Sequence, residues 1–318
     1  MLRVIFMGTA ELACASLEAL CDAAGMEVIA VVTQPDRPKG RDLKLQPSHV
    51  KQVALQKNLP VLQPQRARNE EFVEQLRALK PDLMAVAAYG QILPQAMLDI
   101  PQHGCLNVHT SLLPKYRGAA PIQWAIIDGE PETGVTIMKM DAGLDTGDIL
   151  AMGRTPIAPE DNAQTLHDRL AKLGAELLVK TIPDYVAGKI APQKQPAEGA
   201  SYARKIEKED GLLDWTQPAR VLWNRIRGFT PWPGAFTYQL IENKPRLLKV
   251  WQVVLEENAT GEPGAIISAD KSGIIVGCCG SGALRILTLQ REGSRRMTAQ
   301  EFLAGNPLHP GDKFSNLR

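Results

Sequence analysis

The sequence predicts an α/β chain in two parts: a doubly wound, Rossmann-like amino-terminal domain and a smaller carboxy-terminal β-barrel of OB-like type. Three observations predict it. β-branched apolar runs alternate with segments of helical period through residue 186, the pattern of a parallel sheet with crossover helices. Beyond residue 230, short β segments follow one another between close Gly and Pro turn signals, as in small barrels. Between the two, residues 188–202 shift to Pro, Gly and polar residues, which reads as a linker. The expected boundaries are 1–189 for the first domain, 190–204 for the linker and 205–318 for the second domain. A length of 318 residues also favours two cores over one.

Taken in order, residues 2–7 read as a buried strand, Gly8 as a turn, and 10–24 as a helix with Leu12, Leu17 and Leu20 among its apolar positions. Residues 27–33 are a second β-branched run. The turn Gly8-Thr9-Ala10 lacks the Gly-x-Gly-x-x-Gly of dinucleotide sites, so the fold class brings no NAD with it. Residues 34–48 read as a long loop with three prolines and four cations, Arg37, Lys39, Arg41 and Lys44. Loops of this length are commonly functional, and these cations suit a phosphate backbone, although a solvated surface loop is the plain alternative.

Helical period returns at 49–58, a short strand at 59–63, and a helix at 69–79 with Phe72, Leu76 and Leu79 on one face. Residues 82–88 read as a strand, and 89–94 turn into a short helix. After a strand over 105–109 comes a helix at 120–128, stopped by Gly129, and strands at 135–140 and 149–154. The turn between these last two, 141–148, holds two glycines and three carboxylates. Residues 164–186 are helical, with Pro183 expected to break or kink the last turn. In the second domain a helix is expected over 214–229 and strands over 235–241, 247–255, 264–267, 273–277 and 283–289.

Composition is that of an ordinary globular protein, with 44% hydrophobic residues, 22% charged and a net charge of +1. The five cysteines show no Cys-x-x-Cys spacing and read as reduced thiols, and no membrane span or signal peptide is apparent, so a cytoplasmic protein without a membrane partner is expected. Residues 205–318 carry 15 Lys+Arg against 12 Asp+Glu, a slight basic bias that is weak support for a nucleic-acid face.

The chemistry centres on Cys105-Leu106-Asn107-Val108-His109, where alternation puts an amide and an imidazole two residues apart on one side of a strand end. In open α/β sheets, ligands bind at the carboxyl ends of the strands. A lone histidine is more often a satisfied core residue than a catalytic one, so its surroundings decide. The scattered histidines give no metal-ligand spacing, and no Gly-x-Ser-x-Gly elbow is apparent. Asp145-Thr146-Gly147 has the tripeptide of aspartic-protease dyads, but only one copy exists and such dyads need two facing carboxylates. What remains is Asn107, His109 and Asp145 on successive strand ends, a trio suited to acyl transfer to an amine. An amide can hold the oxyanion, an imidazole can move a proton, and a carboxylate can orient the imidazole or relay the proton.

The run Asn107-x-His109-x-Ser111-Leu112-Leu113-Pro114, then Arg117-Gly118-Ala119-Ala120-Pro121-Ile122-Gln123 and Asp141-x-Gly143-Leu144-Asp145-Thr146-Gly147-Asp148, resembles the folate-dependent formyltransferases. The resemblance extends over almost the whole chain and includes Pro35-Asp36-Arg37-Pro38 and Phe229-x-Pro231-Trp232-Pro233-Gly234. It implies that 10-formyltetrahydrofolate donates a formyl group to the α-amine of methionine on initiator tRNA. It places catalysis on Asn107, His109 and Asp145, folate contact on Ser111, Leu112, Leu113 and Pro114, and tRNA contact on Arg37, Lys39, Arg41 and Lys44 with a carboxy-terminal tRNA-binding domain. Arg41 is the foremost tRNA residue, the protein is expected to be a monomer without metal, and Leu112, Leu113, Val86, Ala87 and Ile92 are candidates for an apolar folate slot. The alternative acceptor is a small amine such as an amino sugar. Two positions depart from the family's habit: Thr110, where Gly or Pro is frequent, and Gly228, where Ala is familiar.

Overall fold

A computed structural model describes residues 1–39, 44–241 and 244–315. Its contacts divide the chain into two units. Unit 1 comprises Met1–Pro121, Glu132–Pro156 and His167–Ala203; unit 2 comprises Ile122–Pro131, Ile157–Leu166 and Arg204–Arg318.

Unit 1 is built on a seven-stranded sheet. Its strands are β1 (Leu2–Gly8), β2 (Met26–Val32), β5 (Val61–Leu62), β6 (Leu83–Ala87), β7 (Cys105–His109), β9 (Glu132–Lys139) and β10 (Asp148–Pro156). Chain order also contributes β3 (Arg37–Lys39) paired with β4 (Lys44–Gln46), and β8 (Arg117–Gly118) paired with β11 (Tyr202–Ala203). The main sheet runs β10-β9-β7-β6-β1-β2-β5, parallel from β5 to β7, with β9 and β10 added antiparallel. The chain leaves β1 toward β2 and β5, then returns to the other side at β6, so the switch point lies between β1 and β6.

The central strands are apolar without alternation because both faces are covered: Val4, Ile5, Phe6 and Met7 have no exposed surface. The helices of unit 1 are α1 (Leu12–Asp22), α2 (His49–Gln56), α3 (Glu70–Ala78), α4 (Gln95–Leu98) and, from His167 on, α6 (Ala163–Val186); α5 (Pro121–Ile127) belongs to unit 2 from Ile122 on. Ser48 starts α2 by accepting from the Lys51 N–H, and Asn69 starts α3 by accepting from Glu71. Helix α6 continues through Pro183 to Val186 rather than breaking there, with Leu178 and Ile182 fully buried on its inner face. Burial of such side chains stabilises by roughly 1.5–3 kcal/mol each, enough to offset one missing backbone hydrogen bond.

In unit 2 a 3₁₀ turn (Lys208–Gly211) precedes α7 (Ala219–Gly228). This helix begins five residues later than the sequence suggested, because Pro218 occupies its N-cap and Asp214 is spent on a turn with Thr216 and Gln217. Strands β12 (Ala235–Ile241), β13 (Lys244–Glu256), β14 (Ile266–Asp270), β15 (Gly273–Gly277), β16 (Ala283–Arg291), β17 (Met297–Thr298) and β18 (Phe314–Ser315) form one antiparallel sheet, with α8 (Ala299–Leu303) between the last two. The sheet curls until its ends meet: Phe314 N–H donates to Gly264 O at 2.8 Å, and Ile266 N–H to Asp312 O at 2.7 Å. Leu222, Val250, Ile286 and Phe302 fill the interior.

Candidate active site

Strand β7 carries the first two site residues. It is paired on both flanks, Asn107 opposite Val86 on β6 and Met138 on β9, and His109 opposite Thr136. The antiparallel β9–β10 ribbon then returns the chain past the end of β7, and the turn at 140–147 delivers Asp145. The three residues expected from the sequence therefore meet. His109 Nδ1 lies 3.7 Å from Asp145 Oδ2, with side-chain exposures of 6% and 13%. Asn107 Nδ2 makes a long 3.5 Å contact to Asp145 Oδ1.

The remaining polar atoms are fixed by backbone groups. The Gly118 N–H donates to Asp145 Oδ2 at 2.8 Å. Gly118 has φ +110°, and a Cβ there would lie 2.8 Å from Ala203 O, so only glycine brings its N–H to this place without strain. Asp145 itself has φ +53°, an uncommon conformation for a residue with a side chain. His109 Nε2 is 2.9 Å from the carbonyl oxygen of Tyr116. A carbonyl only accepts, so Nε2 carries the proton, and the lone pair of the neutral ring is on Nδ1, facing Asp145. This arrangement gives a basic nitrogen beside a carboxylate and next to an amide donor, at the carboxyl end of a sheet strand.

The segment after β7 is turned partly inward. Ser111 is fully buried and donates its hydroxyl to Lys115 O at 2.6 Å; Leu113 is 3% exposed, and its N–H donates to Thr136 Oγ1. Leu112 and Pro114 are half-buried, and the Leu113–Pro114 bond is cis. Val86 and Ala87 are buried, whereas Ile92 is 82% exposed.

The stretch at 34–48, read from sequence as a loop, contains the β3–β4 hairpin, with Lys39 opposite Lys44 in register. Its base is tied down by Thr33 to Ser48 at 2.7 Å and by an Asp36–Lys51 ion pair at 2.7 Å. Gln63 also donates to Asp36, and the Lys51 and Gln63 hydrogen bonds hold the Asp36 carboxyl below its ordinary range. Arg37 is exposed and donates to Gln34 Oε1. Arg41 lies outside the described residues.

Sequence reading missed several participants. The Tyr116 carbonyl and Gly118 N–H are backbone groups, invisible to residue-type arguments. Gln195 donates to the carbonyls of Asp145 and Gly147, and no pattern in its surroundings points to it. Unit 2 also holds a groove of about 700 Å³ lined by Trp223, Trp251, Arg220, Arg227, Thr288 and Arg296 among others. The Arg227 guanidinium stacks 3.7 Å from the Trp223 ring and donates to the carbonyls of Ala158, Pro159 and Asp161. Burial pulls its pKa down to about 10, so it keeps its charge at neutral pH. Arg296 stacks 3.5 Å over Trp251 and is exposed, and Arg220 lies 5.1 Å from Trp223. Cation–aromatic spacing across separate strands and a helix left no motif in the sequence.

Residues 2–182 match the model of the formyl transferase family, and residues 205–307 match that of the formyl transferase C-terminal domain. The chain is 53% identical to a methionyl-tRNA formyltransferase of Geobacter sulfurreducens, covering 98% of this chain and 96% of that protein. It is 50% identical to the enzyme of that name from Caldanaerobacter subterraneus, covering 98% and 99%. Among solved structures, an N-formyltransferase from Helicobacter canadensis in complex with folinic acid and dTDP-3-aminofucose superposes with a TM-score of 0.64 at 19% identity, over 92% of this chain and all of that one. HypX from Aquifex aeolicus in complex with tetrahydrofolic acid superposes with a TM-score of 0.61 at 18% identity, over 99% of this chain and 51% of that one. These distant likenesses speak to the fold alone.

Proposed function

The chain belongs to the formyl transferase family, and from that premise we propose that it transfers the formyl group of 10-formyltetrahydrofolate to the α-amine of methionine carried by initiator tRNA. One observation carries this choice of acceptor: identity of about half to methionyl-tRNA formyltransferases, spread over nearly the full length of both chains. The product, formylmethionyl-tRNA, serves translation initiation. We place this work in the cytoplasm and expect the protein to act as a monomer.

The folate co-substrate supplies an activated formyl carbon, and the amine of the aminoacyl-tRNA is the nucleophile. Asn107 directs its amide N–H at the oxygen where negative charge grows; Nδ2 is held to Asp145 only by the long 3.5 Å contact, which leaves donor capacity free. His109 takes the amine proton on Nδ1, since Nε2–H is engaged by Tyr116. The resulting imidazolium is stabilised by Asp145, whose Oδ2 is itself fixed by the Gly118 N–H. The same proton is then positioned for the leaving nitrogen.

The surfaces of Leu112, Pro114 and Ile92 that remain accessible suit a planar aromatic carrier, while Ser111 and Leu113 shape the wall from inside. On the acceptor side, the cations of the 34–48 stretch, Arg37, Lys39, Arg41 and Lys44, neutralise phosphates. The groove of unit 2 offers a second face for RNA, because arginine stacked on tryptophan attracts both phosphate and base.

The test is formylation by the purified protein with 10-formyltetrahydrofolate and, separately, initiator methionyl-tRNA, elongator methionyl-tRNA, free methionine and a nucleotide-linked amino sugar. Rapid formylation of the initiator tRNA alone is expected. Preferential formylation of the amino sugar would overturn the acceptor assignment, and no transfer to any acceptor would overturn the reaction.

A further inference from the structure

Gln195 lies in the polar, Pro-rich stretch between α6 and β11, yet its side chain is fully engaged. Its Nε2 donates to the carbonyls of Asp145 and Gly147, both at 2.8 Å. Its Oε1 accepts from Arg117 Nε at 3.1 Å and from the Arg117 terminal nitrogen at 2.7 Å. An amide offers two donor hydrogens and an oxygen with two lone pairs, so this capacity is used in full. Two residues earlier, Gln193 exchanges backbone hydrogen bonds with Ile149 at the start of β10, at 2.9 and 2.7 Å. The 193–195 segment therefore runs beside the turn that carries Asp145.

We infer that Gln195 is a positioning residue for the transfer reaction: it clamps the backbone at Asp145 and Gly147 to Arg117 and so holds the Asp145 carboxylate opposite His109 Nδ1. The inference rests on the formyl-transfer reading of that site. Its two ends join the two segments that set the carboxylate, the turn at 140–147 and the 116–118 segment whose Gly118 N–H binds Asp145 Oδ2. Asp145 sits at φ +53°, a conformation that persists where neighbouring bonds over-determine it. Its 3.7 Å approach to His109 is already longer than a charge-assisted hydrogen bond, so a small drift of the turn uncouples the pair. Misplacement by about 1 Å can cost on the order of a hundredfold in rate. Neither the proposed folate wall nor the RNA-facing cations make these bonds, so the loss belongs in kcat.

The experiment compares wild type, Gln195→Met, Gln195→Glu, Asp145→Asn and the double variant Asp145→Asn with Gln195→Met, by steady-state kinetics in both substrates and thermal melting. Met keeps the length and removes every hydrogen bond. Glu keeps the acceptor for Arg117 and removes the donor to the two carbonyls. Wild-type turnover is measured first, so an inactive wild type marks failure of the reaction reading and not of this inference. Gln195→Met is expected to lower kcat by about 10- to 100-fold with each KM changed by no more than roughly twofold. Gln195→Glu should fall as far, and it carries the comparison if the Met variant does not fold. In the Asp145→Asn background, Gln195→Met should add little further loss, because both act on one carboxylate. An undiminished Gln195→Met loss in that background, or a lowered melting temperature with unchanged kcat, would overturn the assignment.

Discussion

His109 donates its Nε2–H to the carbonyl oxygen of Tyr116 across 2.9 Å, and this bond decides which ring nitrogen is basic. Replacing His109 by Gln puts an amide donor near the Nε2 position; replacing it by Asn does not reach Tyr116. Both remove the imidazole proposed as the base and are expected to lower kcat by about 10²- to 10⁴-fold. They should differ in stability, since Gln retains a donor toward the Tyr116 carbonyl whereas Asn gives up that hydrogen bond, at a cost of about 0.5–1.5 kcal/mol. Denaturant unfolding of the two variants checks this, and equal stabilities would contradict the bond.

Asp145→Asn keeps an oxygen for the Gly118 N–H and removes the charge beside His109. The expected outcome is a fall in kcat of about 10²- to 10⁴-fold with tRNA binding preserved, measured by single-turnover formylation and by filter binding. A variant that turned over near the wild-type rate would mean the imidazolium needs no carboxylate.

Gly118→Ala tests the backbone donor. A Cβ at φ +110° would press on Ala203 O at 2.8 Å. The substitution should destabilise by about 1–3 kcal/mol and also lower kcat, because relief of the clash withdraws the N–H from Asp145. Chemical denaturation and kinetics on the same preparation separate the two effects.

These sites were not equally legible. The alternation of Leu106 and Val108 with Asn107 and His109 was enough to place the amide and imidazole on one side of a strand end, and β9–β10 brought Asp145 to them as expected. Strand β12 and strand β15 begin and end where turn residues said they would. The β3–β4 pair leaves no period in the sequence, because each strand is only three residues long and Pro38 sits inside β3. Helix α7 starts at Ala219 rather than 214, because Pro218 takes the N-cap and Asp214 closes a turn onto Thr216. Gln195 acts by hydrogen bonds to carbonyls about fifty positions away in sequence, and neither period nor composition encodes that.

Asp36 gives a pH dependence. Its folded pKa is held down chiefly by the Lys51 hydrogen bond, so its contribution to stability is full above the unfolded value of about 3.9 and fades as pH falls through the lower folded value. The difference in melting temperature between wild type and Asp36→Asn should be constant from pH 7 down to roughly pH 5 and shrink below pH 4. A difference that grew on acidification would reverse the sign of this linkage.

The groove of unit 2 makes the last prediction. Arg227 is committed to three backbone carbonyls and Trp223, so its removal would damage the fold and report nothing about RNA. Arg296 is exposed and touches Trp251 at 3.5 Å, which makes it the informative position. If it neutralises one phosphate of the tRNA, Arg296→Ala should raise the KM for tRNA, leave the KM for folate unchanged, and reduce the slope of log affinity against log salt by about 1. If it stacks on a base instead, affinity should fall by about 1–3 kcal/mol with a smaller change in slope. Binding titrations at several salt concentrations distinguish the two, and wild-type affinity at every concentration would remove the groove from the RNA face.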